Sequence, residues 1–194
     1  MATDSQATRV EGNRRLTGIT AMVLLVLLAA EGLTVLGLRR HLPLHLFIGA
    51  LLVPPALLKI GSVGLRFVRY YAGDPAFRAA GPPDLLMRLN GPLVVLSTLA
   101  VLATGLELWL FGLRFGAVWI TAHMVSFLVW MAVSAVHVLA HLERAQRLAA
   151  SELLSDDVPG GVTRRSLLGA SLLLGLVLAL VTVAWPGPFL TFPS

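Results

Sequence analysis

Hydrophobic residues of this chain fall into five long runs with polar flanks, 16–38, 42–65, 89–112, 117–141 and 166–185. A helix needs about twenty predominantly apolar residues to cross roughly 30 Å of hydrocarbon. Each run therefore predicts one transmembrane helix, and the chain is expected to be all-α and integral to a membrane. The second run holds Pro54 and Pro55 in its interior. A soluble helix would break there, whereas in lipid the neighbouring helices cover the freed carbonyls, so a kinked span is expected. Runs one and two, and runs three and four, are joined by only a few residues, which makes each pair antiparallel neighbours. The first four spans, 16–141, are thus expected to form an antiparallel bundle. A cytoplasmic tail, 1–15, precedes it; a polar cytoplasmic linker, 142–165, and a fifth helix with a short external tail, 166–194, follow. Both pairs are hairpins that turn on the same side, and no internal repeat stands out.

Composition supports a membrane setting and narrows the chemistry. Of 194 residues 57% are hydrophobic and only 13% charged, with a mean hydropathy of +0.84, which excludes an ordinary soluble domain and makes the lipid bilayer the main partner. There is no cysteine, so disulfides, thiolate zinc sites, iron–sulfur clusters and covalent c-type haem are excluded, and any metal must be held by His, Met or carboxylate. The net charge is +5, but the basic residues lie between apolar runs and form no track for a phosphate backbone; nucleic acid is not an expected partner.

Those basic residues set an expected orientation. Eleven arginines (9, 14, 15, 66, 69, 78, 88, 144, 147, 164 and 165) flank one side of the runs, against Arg39, Arg40 and Arg114 on the other. The positive-inside rule then puts the N-terminus in the cytoplasm and the C-terminus outside, in a multi-pass protein of the cell's inner (cytoplasmic) membrane. Trp109, Trp119 and Trp185 fall at the outer interface and Tyr70 and Tyr71 near the inner one. The first run, about 23 residues, is longer than a signal-peptide core and reads as an uncleaved span. Thr163-Arg164-Arg165-Ser166-Leu167-Leu168 has the look of a twin-arginine export signal, but its internal position favours a positive-inside flank of the fifth span.

All five histidines lie on two spans: His41 and His45 at the start of the second, His123, His137 and His141 on the fourth. Ionisable groups in a membrane are expensive and by default mark function. His123 and His137 are 14 residues apart, close to four whole helical turns, so they share one face at depths about 21 Å apart. On the second span the residue 14 beyond His45 is Lys59. Two such pairs opposed in one bundle suit two stacked haems held by axial nitrogens, the fourth nitrogen being an amine. His45 lies nearer its helix start than His123, so equal depth requires tilt or a helix extending beyond residue 42.

With these residues the chain resembles the membrane b-type cytochromes of the cytochrome b561-like and ferric-reductase-like kind, four-helix bundles holding one or two non-covalent haems. The resemblance covers 16–141 and rests on the helix count, His45 with His123, and the step to His137. It implies a haem b at the outer side ligated by His45 and His123, with Gly49, Gly91 and Gly105 giving the porphyrin room. A second, inner haem would use His137 and Lys59, where two-haem members have His at all four places. It further implies exchange of electrons with a membrane quinone and with a separate redox protein outside. Arg39 and Arg40 suit haem propionates.

Plainer readings attach to several of these residues. His41 precedes Pro43, which favours a first helical position and an interfacial place for His41; His141 reads as a helix-end residue. Lys59 has three readings: ligand, partner of a propionate or quinone, or a side chain snorkelling to the headgroups, the last favoured because a lysine must lose its proton to bind metal. Glu31 and Glu107 are able to accept a bond from a ligand imidazole, carry protons, or pair with nearby arginines. Methionines are scattered, against a copper thioether site. Two further classes compete with an electron-carrying cytochrome: a cofactor-free membrane anchor or assembly protein, and a small proton-coupled transporter.

Overall fold

The computed structural model describes residues 2–81, 85–155 and 158–185, with side chains from Ala7 onward. The expected external tail beyond Trp185, and Asp156 and Asp157 of the expected linker, lie outside the described residues. Among those described are six helices and no strand: α1 (Ala2–Val35), α2 (Leu38–Tyr71), α3 (Pro75–Ala79), α4 (Leu85–Phe111), α5 (Val118–Leu154) and α6 (Gly161–Ala184). All but the short α3 are long and apolar enough to cross a membrane. The chain is thus all-α, with the five expected spans in the expected order.

The helices outrun the apolar runs that predicted them. α1 and α2 have 34 residues each and α5 has 37, or about 50–55 Å at 1.5 Å per residue, well beyond a hydrocarbon core. Residues 2–15, expected as a tail, belong to α1. Much of the expected linker belongs to α5, because 142–154 is rich in Ala, Leu, Glu and Arg, strong helix formers, and Glu143 and Arg147 pair one turn apart at 3.6 Å. α2 likewise begins at Leu38, before His41, and continues through Pro43, Pro54 and Pro55. Pro43 is therefore inside the helix, and His41 lies within its first turn. Between α2 and α4, Asp74 caps α3 by accepting from the Ala76 N–H at 3.1 Å, with Pro75 at the first helical position.

α1 packs between α2 and α5; α4 lies on α5, and α6 lies mainly on α2. Glycine sets two of these contacts. A Cβ on Gly18 would sit 2.5 Å from Leu148 Cβ of α5, and one on Gly175 would run into the Leu51 carbonyl of α2. A small apolar centre gathers Ile19, Ala149 and Leu168 with Met22, Val23, Leu58 and Leu172. Outward faces carry large apolar side chains such as Leu33, Leu139 and Leu173, as expected where the surrounding solvent is hydrocarbon.

Polar groups knot the arginine-rich end. Arg15 of α1 donates to the Ser151 carbonyl at 3.1 Å and to Ser155 Oγ at 3.3 Å on α5. Arg164 of α6 donates from Nε and Nη2 to Glu152 Oε2 of α5, both at 2.8 Å. Half of the twin-arginine motif is therefore a buried ion pair that ties α6 to the end of α5. At the opposite end the Trp109 and Trp185 rings meet edge to face, 6.3 Å between centroids, which levels the ends of α4 and α6.

Candidate functional site

α2 and α5, the two helices that carry the histidines, make hardly any backbone contact; α1 packs against both and holds them apart. Across that gap the rings of His45 and His123 face each other, with centroids 6.4 Å apart and planes at 81°. The early start of α2 supplies the extension that equal depth requires. His45 lies seven residues into α2 and His123 five into α5.

The hydrogen-bond network fixes the protonation of each ring. His45 Nδ1 lies 2.8 Å from Glu31 Oε1 and 3.1 Å from Thr34 Oγ1. The Thr34 hydroxyl donates its one proton to the Glu31 carbonyl at 2.6 Å, so towards the ring both oxygens accept and Nδ1 carries the hydrogen. On the other side Thr104 Oγ1 donates to the Ala100 carbonyl at 2.8 Å and stands 3.0 Å from His123 Nδ1, again as acceptor. Each ring therefore has Nδ1 engaged by an oxygen, an arrangement that orients an imidazole through one nitrogen and leaves Nε2 as the nitrogen that could meet a ligand.

Were a metal to lie between these rings, His45 and His123 would hold it, and the 6.4 Å between their centroids leaves room for two metal–nitrogen bonds of about 2.0 Å each. Among the described residues no three His, Cys, Asp or Glu side chains gather as a metal-ion site, so the donor set offers two imidazoles and leaves the remaining positions to another ligand. A tetrapyrrole would bring four nitrogens of its own, and His45 and His123 are the two side chains that would hold its metal.

The other expected site residues fall as follows. A Cβ on Gly105 would come within 3.1 Å of His123 Cε1, and one on Gly49 within 3.5 Å of Glu31 Oε1; the room these glycines leave is taken by the imidazole and by its carboxylate partner. Arg39 and Arg40 are exposed in the first turn of α2, roughly 9 Å of helical rise or less beyond His45. His41 is exposed beside Gly37. His137 Nδ1 lies 3.2 Å from Asn90 Oδ1 of α4, and Asn90 Nδ2 donates to the Val133 carbonyl at 3.1 Å. The His137 ring sits edge to face on that of His141, 4.7 Å between centroids. Lys59 does not snorkel: its ammonium donates to the Thr17 carbonyl of α1 at 2.8 Å. Both oxygens of Glu107, and Oε2 of Glu31, are shut off from solvent without a hydrogen-bond partner.

Thr34, Thr104, Asn90 and Thr17 were not singled out by the sequence reading, yet a signal for them exists. Arg15-Leu16-Thr17-Gly18 and Ala30-Glu31-Gly32-Leu33-Thr34 on α1 recur at a constant offset of 73 as Arg88-Leu89-Asn90-Gly91 and Ala103-Thr104-Gly105-Leu106-Glu107 on α4. His45, Arg66 and Arg69 on α2 recur at an offset of 78 as His123, Arg144 and Arg147 on α5, with Lys59 standing where the second hairpin has His137. The two hairpins thus share a sparse pattern of polar and small residues. The repeat divides the bundle into two tiers 14 residues apart: Glu31, His45, Thr104 and His123 in one, Thr17, Lys59, Asn90 and His137 in the other. Glutamate and threonine exchange places between the copies of the first tier.

Compared with known proteins, the chain matches no family model, no curated protein and no solved structure.

Proposed function

We propose that this chain is a membrane b-type cytochrome that carries electrons between a membrane quinone and a redox protein outside, through one haem b held by His45 and His123. The single observation that carries this reading is the pair of imidazoles at 6.4 Å across the bundle, each with Nδ1 bonded to an oxygen. When bound, haem b would supply a one-electron couple, and His45 and His123 would be the residues that hold it. Glu31 and Thr34 hold His45 in the Nδ1–H tautomer and raise its basicity; Thr104 does the same more weakly for His123. Gly105 leaves the His123 ring its place, and Arg39 and Arg40 stand where they would balance propionate charge. The orientation with the N-terminus in the cytoplasm is part of this proposal and follows from the arginine bias.

The inner tier supports a second haem less well, because Lys59 is engaged with Thr17 and is a poor ligand while protonated. A second reading is favoured by one observation: the unpartnered buried carboxylate of Glu107 is what a proton-carrying membrane protein would keep.

The test is the optical spectrum of the purified protein. A sharp α-band in the dithionite-reduced minus oxidised difference spectrum, one iron per chain and loss of both in His123→Ala are expected. A colourless preparation that yields no pyridine haemochrome sinks the proposal, and ion-dependent flux in liposomes without an optical change would put the transporter in its place.

A further inference from the structure

A cleft of about 410 Å³ opens at the arginine-rich end, between α1, α2, α3 and the first turn of α6. Its lining is graded. Arg9 on α1 and Arg69 on α2 are exposed; Leu16 lies about two turns deeper along α1, Leu65 one turn deeper along α2, and buried Phe77 of α3 closes the side. Among the described residues no carboxylate lines the cleft. Arg69 is only partly neutralised, by Asp74 at 3.4 Å with nearly half of the Arg69 side chain exposed, and Arg9 makes no ion pair among the described residues. α6 starts here at Gly160 with no side-chain cap, so the first N–H groups of the helix add partial positive charge beside the Thr163 hydroxyl. Arg164 also lines the cleft, but its guanidinium is engaged by Glu152 and by the Pro159 and Val158 carbonyls and contributes shape more than charge.

We propose that this cleft binds the headgroup of an anionic phospholipid, with the phosphate between Arg9, Arg69 and the start of α6 and an acyl chain running along Leu16 and Leu65. Cations at the membrane surface above an apolar wall match one phosphate carried on hydrocarbon, and basic pockets between transmembrane helices are established places for such lipids. A free phosphate would make no use of Leu16, Leu65 or Phe77. The site is independent of any cofactor in the bundle.

The full chain, purified in a mild detergent and stripped of lipid, is titrated with phosphatidylglycerol, with phosphatidylcholine of the same chains, or with inorganic phosphate. Lipid retained in native mass spectra and the thermal unfolding midpoint are both read. One retained phosphatidylglycerol and a raised midpoint are expected, with little effect of phosphatidylcholine. At about 1 kcal/mol per basic residue, Arg9→Gln and Arg69→Gln should each weaken binding roughly fivefold, and the double variant about 25-fold. Arg147→Gln removes the repeat counterpart of Arg69, which is exposed and paired only with Glu143, and should leave binding unchanged. Equal binding of the two lipids, undiminished phosphatidylglycerol binding by a folded double variant, or displacement of the lipid by millimolar phosphate would each overturn the assignment.

Discussion

The Glu152–Arg164 pair offers the most direct test of how the fifth span is held. Glu152 is 1% exposed, and a single oxygen of it takes both guanidinium contacts at 2.8 Å while Oε1 has no partner. Two charges have been desolvated and only part of that cost is offset by bonds. Removing one partner leaves the other charge buried alone, which costs about 3–5 kcal/mol, a large share of the roughly 5–15 kcal/mol that holds an average domain together. Glu152→Met and Arg164→Met should each lower the unfolding midpoint in nanodiscs by a corresponding amount. The double variant Glu152→Met with Arg164→Met, which buries no charge, should recover most of the loss. Because the chain has no native cysteine, one introduced at Val158 reports whether α6 has lifted: labelling should speed up in the single variants and return towards the parent rate in the double. Losses that add within about 0.5 kcal/mol would mean that the two side chains do not sense each other, and the account of α6 docking would fail.

Gly175→Ala drives a methyl into the Leu51 carbonyl, whereas Gly169→Ala meets nothing within 4 Å; the first should destabilise by about 1–3 kcal/mol and the second stabilise by up to about 1 kcal/mol, both read by thermal unfolding. Glu31→Gln and Thr104→Val should each reduce haem retention by about 10–100-fold without unfolding the protein, checked by haem transfer to an apo-globin acceptor; equal retention in all three proteins would remove these oxygens from the site. Lys59→His places an imidazole opposite His137 in the second tier, and iron per chain should rise from one to two, whereas His137→Ala in the parent should leave it at one.

The five spans were legible because lipid imposes a length, and 16–38 or 166–185 satisfy it with apolar residues alone. Their ends were not legible, because hydropathy stops at the membrane surface while the helix does not: 142–154 goes on as α5 on propensity and on its contacts with Arg15 and Arg164. His45 and His123 stood out since few groups of their kind occur in lipid. Their partners were hidden for the opposite reason, as threonine is ordinary in a membrane helix and Thr34 or Thr104 becomes informative only once its hydroxyl is seen to donate backwards along its own helix. The hairpin repeat escaped notice because few positions are kept: between α2 and α5 only His45, Arg66 and Arg69 recur unchanged, as His123, Arg144 and Arg147, while the apolar positions between them vary freely.

The exchange of glutamate and threonine between the two hairpins makes the site electrically lopsided. A carboxylate at 2.8 Å draws the Nδ1 proton of His45 and enriches its Nε2 lone pair, while a neutral hydroxyl at 3.0 Å does so less for His123. A symmetric pair of glutamates would put two negative charges beside one centre and favour the oxidised form of any iron between the rings; two threonines would favour the reduced form. One of each sets an intermediate balance. Glu107 occupies on α4 the place that Thr34 holds on α1, so the second copy has kept a carboxyl near the site but one turn further along the helix. If the reasoning is right, Glu31→Gln should raise the midpoint potential and Thr104→Glu should lower it, in opposite directions from the same parent. A shift of the same sign in both, measured on the haem-loaded fraction of each protein, would show that the two oxygens act through packing and not through charge.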